Sequence, residues 1–214
     1  MGKAMRKVRS DDASQLKRVI ALYALPHPDK KGLEPPLGSE ESHSRMGFNH
    51  PELARLLCPV KCLASFLEDP AEMQKKLQDG CMTATAANWP AFLYYGDIPG
   101  EDFDPVHFDK GFLRGFILIC VLKHIFIAPS SALSKGELKS TRPGNGKLHG
   151  MREVTTEHIA YAAVHARYSL TSREKWKQHD GVFDYADFYY RVLNFLTSTA
   201  DKKWQESLYS YLNK

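Results

Sequence analysis

The sequence predicts an all-α protein, a single irregular bundle of seven or eight helices around a buried central helix. Three observations carry this. Residues 112–128, FLRGFILICVLKHIFIA, are the most apolar run in the chain, with no two-residue alternation and apolar residues all round a 3.6-residue wheel. The run is β-branched at Ile117, Ile119, Val121, Ile125 and Ile127, but it far exceeds the roughly 5–6 residues of an ordinary strand. Other segments repeat apolar residues at helical spacing, and no convincing pair of strands appears.

In chain order, residues 1–10 are basic, with Lys3, Arg6, Lys7 and Arg9 and no acid. Asp11 or Asp12 is placed to cap a first helix whose apolar face is Leu16, Val19, Ile20 and Tyr23, ended by Pro26. Residues 26–47 hold four prolines and three glycines and read as a long loop. This divides the chain into 1–47, a basic arm with first helix and loop, and 48–214, a helical domain. Pro51 opens a short helix at the position where its missing N–H costs nothing, and Pro59 ends it. Asp69-Pro70-Ala71-Glu72 caps the next, with Glu72 placed to reach back, and Gly80 stands where a left-handed residue closes it. Residues 89–95, WPAFLYY, are a dense aromatic patch, core by default and a stacking surface for bases or sugars by alternative.

Residues 97–109 carry five acids and no Lys or Arg, among turn residues, and lead into the central helix, whose N-terminal end favours negative charge. After Pro129 the chain turns polar. Residues 134–152 hold Lys135, Lys139, Arg142, Lys147 and Arg152 against one acid, Glu137, and TRPGNGK at 141–147 is turn or loop. Thr155 or Thr156 caps a helix with an Ile159, Ala162, Ala163, Ala166 and Leu170 stripe, whose alanines let another helix approach closely, and with Tyr161, His165 and Tyr168 on a second face. Asp184 caps another helix with Phe188, Val192, Phe195 and Leu196 inward, and a last one from Asp201 is anchored by Trp204, Leu208 and Tyr211.

Composition narrows the function classes. A chain of 214 residues with 43% hydrophobic and 11% aromatic content can bury a real core. A net charge of +4 permits an anionic partner without demanding one. The four cysteines, Cys58, Cys62, Cys81 and Cys120, form no disulfide framework, which points to a reducing compartment. The N-terminus lacks a signal-peptide core, and Arg6 breaks the myristoylation pattern. Arg114 and Lys123 bracket only GFILICVL, well short of the about 18 apolar residues a membrane span needs. The expectation is an intracellular protein, nuclear or cytoplasmic, with no membrane partner.

The strings LKHIFIAPSSAL (122–133) and RPGNGKLHGMREVTTEHIAYAAVHARYSLTS (142–172), with NHPELARLLCPV (49–60) and PAFLYYG (90–96), resemble a family of uncharacterised proteins abundant in mushroom-forming (basidiomycete) fungi. The resemblance covers roughly residues 49–212. It implies a fungal origin and, through a loose association with mobile-element-rich gene families, a tilt toward nucleic acid. It implies no activity, cofactor or site residue.

Among chemistries, His107-Phe108-Asp109 is the most tempting string. A His-x-Asp pair with a distant His is the facial triad of non-haem iron oxygenases, and His149, His158 or His165 are candidate third ligands. That triad is mounted on a β jelly roll, against the helical pattern here. Cys58, Cys62 and Cys81 offer thiolates for zinc, but the short pair is CxxxC with Pro59 inside it and has no matching second pair. His124 reads as a hydrogen-bonded core histidine, and Ser130-Ser131 lacks a nucleophile-elbow motif. Gly144-Asn145-Gly146-Lys147 lacks the Walker spacing, yet its backbone N–H groups beside Lys147, His149 and Arg152 suit a phosphate or carboxylate. The sequence therefore assigns no catalytic residue and no cofactor. It favours a binding module that contacts nucleic-acid backbone through Lys135, Lys139, Arg142, Lys147, His149 and Arg152. The alternatives are a metal-dependent enzyme using His107 and Asp109, and a protein-interaction module exposing the 89–95 patch or the face with Tyr161 and Tyr168.

Overall fold

The computed structural model describes residues 3–29, 32–37, 43–134 and 153–213, with side chains from residue 11 onward. Among them are eight α-helices and one small hairpin: α1 Lys3–Tyr23, α2 Pro51–Leu57, α3 Leu63–Glu68, α4 Pro70–Gln78, α5 Phe116–Phe126, α6 Thr156–Leu170, β1 His179–Asp180, β2 Phe183–Asp184, α7 Tyr185–Ser198 and α8 Lys202–Leu212. The protein is thus mostly helical rather than strictly all-α. The hairpin pairs His179 with Asp184 and Asp180 with Phe183, antiparallel, around a two-residue turn. Gly181 supplies φ +61° there, the left-handed geometry that two-residue hairpin turns require.

The apolar run does become a buried helix, but a shorter one than the sequence suggests. Ile117, Leu118, Val121, Leu122, His124 and Ile125 of α5 are buried, while residues 112–115 form a turn with Leu113 left-handed, bridged to residues 93–95 through Tyr94 and Phe112. The Gly115 N–H donates to the Leu93 carbonyl at 3.1 Å, and a Cβ on Gly115 would overlap the Phe92 carbonyl oxygen. Only glycine lets the chain enter α5 at this spot. α5 is not alone at the centre. α6 packs against α1, α5 and α7, and all of its residues from Ile159 to Leu170 are buried except Tyr161. Its alanines Ala160, Ala162, Ala163 and Ala166 are fully enclosed. Small side chains there let neighbouring helices approach closely.

The caps follow the local chemistry of the sequence. The Asp69 carboxylate accepts from the Glu72 N–H at the start of α4, Asp184 from the N–H groups of Ala186 and Asp187, and Asp201 from that of Trp204. Thr155 caps α6 with His158 reaching back: its N–H donates to His158 Nδ1 at 3.0 Å. Gly80, with φ +76°, closes α4 in the left-handed region. The start of α1 departs from expectation, since the helix begins at Lys3 rather than after Asp11 or Asp12. The basic run lies in its first turns. Leu16, Ile20 and Tyr23 of α1 enter the same core as α5, α6 and α7. A second core cluster joins Phe66, Met73 and Leu77 of α3 and α4 to Ala54 and Cys58.

The aromatic patch is mostly core, with Phe92, Leu93 and Tyr94 buried and Tyr95 alone turned out at 65% exposure. Trp89 and Phe112 rings meet at 4.8 Å, and Phe195 bridges Phe112 to Trp204. Replacing Gly115 with Ala is expected to cost about 3 kcal/mol or more, because a backbone carbonyl cannot yield. Gly32→Ala, with open space around the site, should stay within about 0.5 kcal/mol. Urea unfolding of both variants measures the contrast.

Candidate functional site

Each basic residue singled out in the sequence, Lys135, Lys139, Arg142, Lys147, His149 and Arg152, lies outside the described residues. What the structure does define is where that segment is attached. On the incoming side the Ser134 carbonyl accepts from Lys123 Nζ at 3.1 Å. On the outgoing side the Val154 N–H donates to Asn213 Oδ1 at 2.9 Å. The Phe126 ring at the end of α5 lies 4.5 Å from the His158 ring in the first turn of α6.

Tyr161 OH donates to Asp12 Oδ2 at 2.9 Å, and Lys17 Nζ donates to the carbonyls of Tyr168 and Thr171 at 3.1 and 2.7 Å. Residues 12 to 17 of α1 therefore meet residues 161 to 171 of α6, while Tyr23 at the C-terminal end of α1 meets His124 near the C-terminal end of α5. Lys3, Arg6, Lys7 and Arg9 lie in the turns of α1 that precede Asp12.

The other candidates disperse. His107 is exposed, and its carbonyl accepts from the Lys110 N–H. The Asp109 carbonyl accepts from Trp204 Nε1 at 3.0 Å and so pins α8. Among the described residues no three His, Cys, Asp or Glu side chains gather in metal-binding geometry. Cys58 is buried, and that burial pushes its thiol up to about 12; Cys120 is raised in the same way to about 11. Cys81 is exposed. His124 Nδ1 and Tyr23 OH lie at 2.9 Å, as a core pair. Tyr168 and His165 are buried, Tyr161 is half-buried, and the Trp176 ring covers His165 and Tyr168, so this face is not the exposed aromatic surface an interaction module would present.

Two features escaped sequence reading. The first is a buried cationic cluster at the C-terminal end of α6. Arg167, 2% exposed, lies between the rings of Phe183 and Phe48, 3.9 Å from Asp180, which also pairs with Arg173. Lys17 stands beside it over the Tyr168 ring. Burial pulls the Lys17 ammonium down to about 7, against Asp180, which favours the charge, with Arg167 adding to the depression. The cluster joins α1, α6 and the hairpin, and its long-range pairing left no local sequence signal.

The second is a cleft of about 390 Å³ where the 94–103 turn, the 110–114 segment and α8 meet, lined among others by Tyr95, Asp102, Lys110, Arg114 and Tyr211. Arg114 Nη2 donates to Ser207 Oγ at 2.9 Å, and its guanidinium lies 5.2 Å from the centre of the Tyr211 ring.

A family of unknown function, DUF6698, matches residues 3–214 by its model. No curated protein and no solved structure matches the chain.

Two measurements follow from the buried groups. With a thiol reagent on the folded protein, Cys81 should react first and Cys58 only on unfolding, because thiolate is the reactive form. Burial lowers the His124 pKa, as it does for His158 and His43. Below its ordinary value the unfolded chain takes up a proton that the folded site refuses, so stability falls as pH drops through about 6.5. His124→Asn should make the loss between neutral and mildly acidic pH smaller than in the wild type, by chemical denaturation.

Proposed function

The chain belongs to that family, whose description assigns no activity, and from the chain's own residues we propose that it is a helical binding module for nucleic-acid backbone. The contacts come from Lys135, Lys139, Arg142, Lys147, His149 and Arg152, joined by the basic turns of α1. In this reading residues 48–214 are the helical domain, and 1–47 are the basic arm, the first helix that packs on that domain, and the Pro/Gly-rich loop. The protein works inside the cell, in nucleus or cytoplasm, and its origin is fungal, as the resemblance of its sequence strings implies.

The supporting observation is the concentration of Lys and Arg in two segments of the sequence, 3–9 and 135–152. The helix that carries the first meets the helix that follows the second, through Asp12 and Tyr161. Cations concentrated in such segments raise the local potential beyond what a net charge of +4 alone provides. Each phosphate neutralised releases counterions, so binding weakens steeply with salt.

Replacing Lys139, Arg142, Lys147 and Arg152 together with Ala should abolish retention on heparin and on DNA while leaving the circular-dichroism spectrum and melting temperature of the wild type. The slope of log affinity against log salt should fall by roughly one for each phosphate that is no longer neutralised. Retention unchanged in the quadruple variant defeats the proposal.

A further inference from the structure

The geometry points to the cleft beside α8 as a second binding site, one that takes a nucleoside phosphate. Its planar ring lies against Tyr95 and its phosphate between Lys110 and Arg114. This goes beyond the basic segment and does not depend on it.

The cleft is built by backbone. Residues 93–95 and 111–115 run side by side, with Tyr94 paired antiparallel to Phe112, the Tyr95 N–H donating to the Gly111 carbonyl at 2.9 Å, and Gly115 tied to Leu93. Gly111, at φ +74°, lies so close under Tyr95 that an added Cβ would come within 3.3 Å of the Tyr95 Cβ. Leu113 is the non-glycine residue with positive φ, at 59°, among the described residues. A left-handed leucine costs on the order of 1–3 kcal/mol and persists only where its surroundings hold it. Here both Phe112 and Leu113 are fully buried, and the turn between them and Gly115 brings Arg114 out into the cleft.

Arg114 is then held by two residues of α8. Ser207 takes one of its Nη donors and the Tyr211 ring backs the guanidinium. Its Nε is shut off from solvent without a hydrogen-bond partner. Among the described residues no carboxylate pairs with Arg114 or Lys110. The one acid lining the cleft is Asp102, so cations outnumber carboxylates. Tyr95, Arg114 and Tyr211 line one space; burial raises the Tyr211 phenol above its ordinary value, nearby Tyr95 adds to this, and Arg114 opposes it.

Ligand chemistry follows from these parts. The Arg114 guanidinium, fixed by Ser207 and Tyr211, offers its remaining Nη donors to phosphate oxygens, and lysine adds a point charge. A tyrosine with an anchored backbone and a bare ring suits stacking of a base, worth about 1–3 kcal/mol. A volume of about 390 Å³ lies within the range of roughly 300–1,000 Å³ for small-molecule sites. A simple carboxylate or inorganic ion would leave the Tyr95 ring unused. The nucleoside phosphate is either a free nucleotide or an unstacked residue of a single strand.

The test titrates adenosine monophosphate, adenosine, inorganic phosphate and a short single-stranded oligoadenylate into the full chain by calorimetry. Adenosine monophosphate should bind at least about tenfold more tightly than adenosine or phosphate. Tyr95→Ala and Lys110→Ala, both exposed side chains whose loss leaves the fold intact, should each weaken it by about tenfold, and Arg114→Lys should do so as well. The variant lacking Lys139, Arg142, Lys147 and Arg152 should bind adenosine monophosphate as the wild type does, which separates this site from the basic segment. In that variant, tighter binding of the oligonucleotide than of the mononucleotide identifies a strand as the source, and the reverse identifies a free nucleotide. Absence of binding by either, binding indifferent to Tyr95→Ala and Lys110→Ala, or phosphate alone binding as well as the nucleotide overturns the inference.

Discussion

The enclosure of α6 on three sides is the constraint that organises this protein. A helix that meets α1, α5 and α7 has no solvent face on which to place bulky or polar groups freely. Its solution is a row of alanines toward its neighbours, with the larger side chains confined to positions where partners exist. Arg167 is the exception that shows the rule. A guanidinium at 2% exposure bears a desolvation cost of several kcal/mol, offset by Asp180 and by the flanking rings of Phe183 and Phe48. Lys17, from α1, directs its donors to the last carbonyls of the same helix, where positive charge is favoured by the helix dipole. The hairpin exists in this context: its turn holds Asp180 at the spot where the cations of α6 and of the segment after it converge.

Much of the fold was legible because its signals are local. The apolar run at 112–128 announced a buried helix. Asp69, Thr155, Asp184 and Asp201 announced helix starts, because a capping side chain and the N–H it satisfies lie within three residues of each other. Where the reading fell short, the deciding contact was remote. Residues 112–115 belong to the apolar run by composition, yet the Tyr94–Phe112 bridge, the left-handed Leu113 and the Gly115 bond to Leu93 keep them out of the helix and delay α5 to Phe116. The start of α1 at Lys3 lies beyond the acids that looked like its cap. The hairpin turn had a readable trace in Asp180-Gly181, but its strands are two residues long and give no alternation to detect.

The candidate site divides the same way. Charge runs are visible in any sequence, so the basic stretch at 135–152 could be named before any coordinates. That α1 meets α6, and that the end of α5 meets the start of α6, required the Tyr161–Asp12 bond and the Phe126–His158 contact, between residues more than a hundred and more than thirty positions apart. The cleft had one partial signal, the aromatic string at 89–95, and there Tyr95 alone stays outside the core. Lys110, Arg114 and Tyr211 carry no shared pattern, and three-dimensional closure alone makes them neighbours.

One wall of the cleft has a property of its own. α8 buries a single side chain completely, Leu208, and is moored by Trp204 to the Asp109 carbonyl and the Phe195 ring, by Gln205 to the Leu196 carbonyl, by Tyr209 to Thr156 and, just past its end, by Asn213 to Val154. Ser207 and Tyr211 both belong to it, so the clamp on Arg114 depends on α8 staying docked. Cavity and last helix stand or fall together, and anything that binds only the docked form stabilises it by mass action.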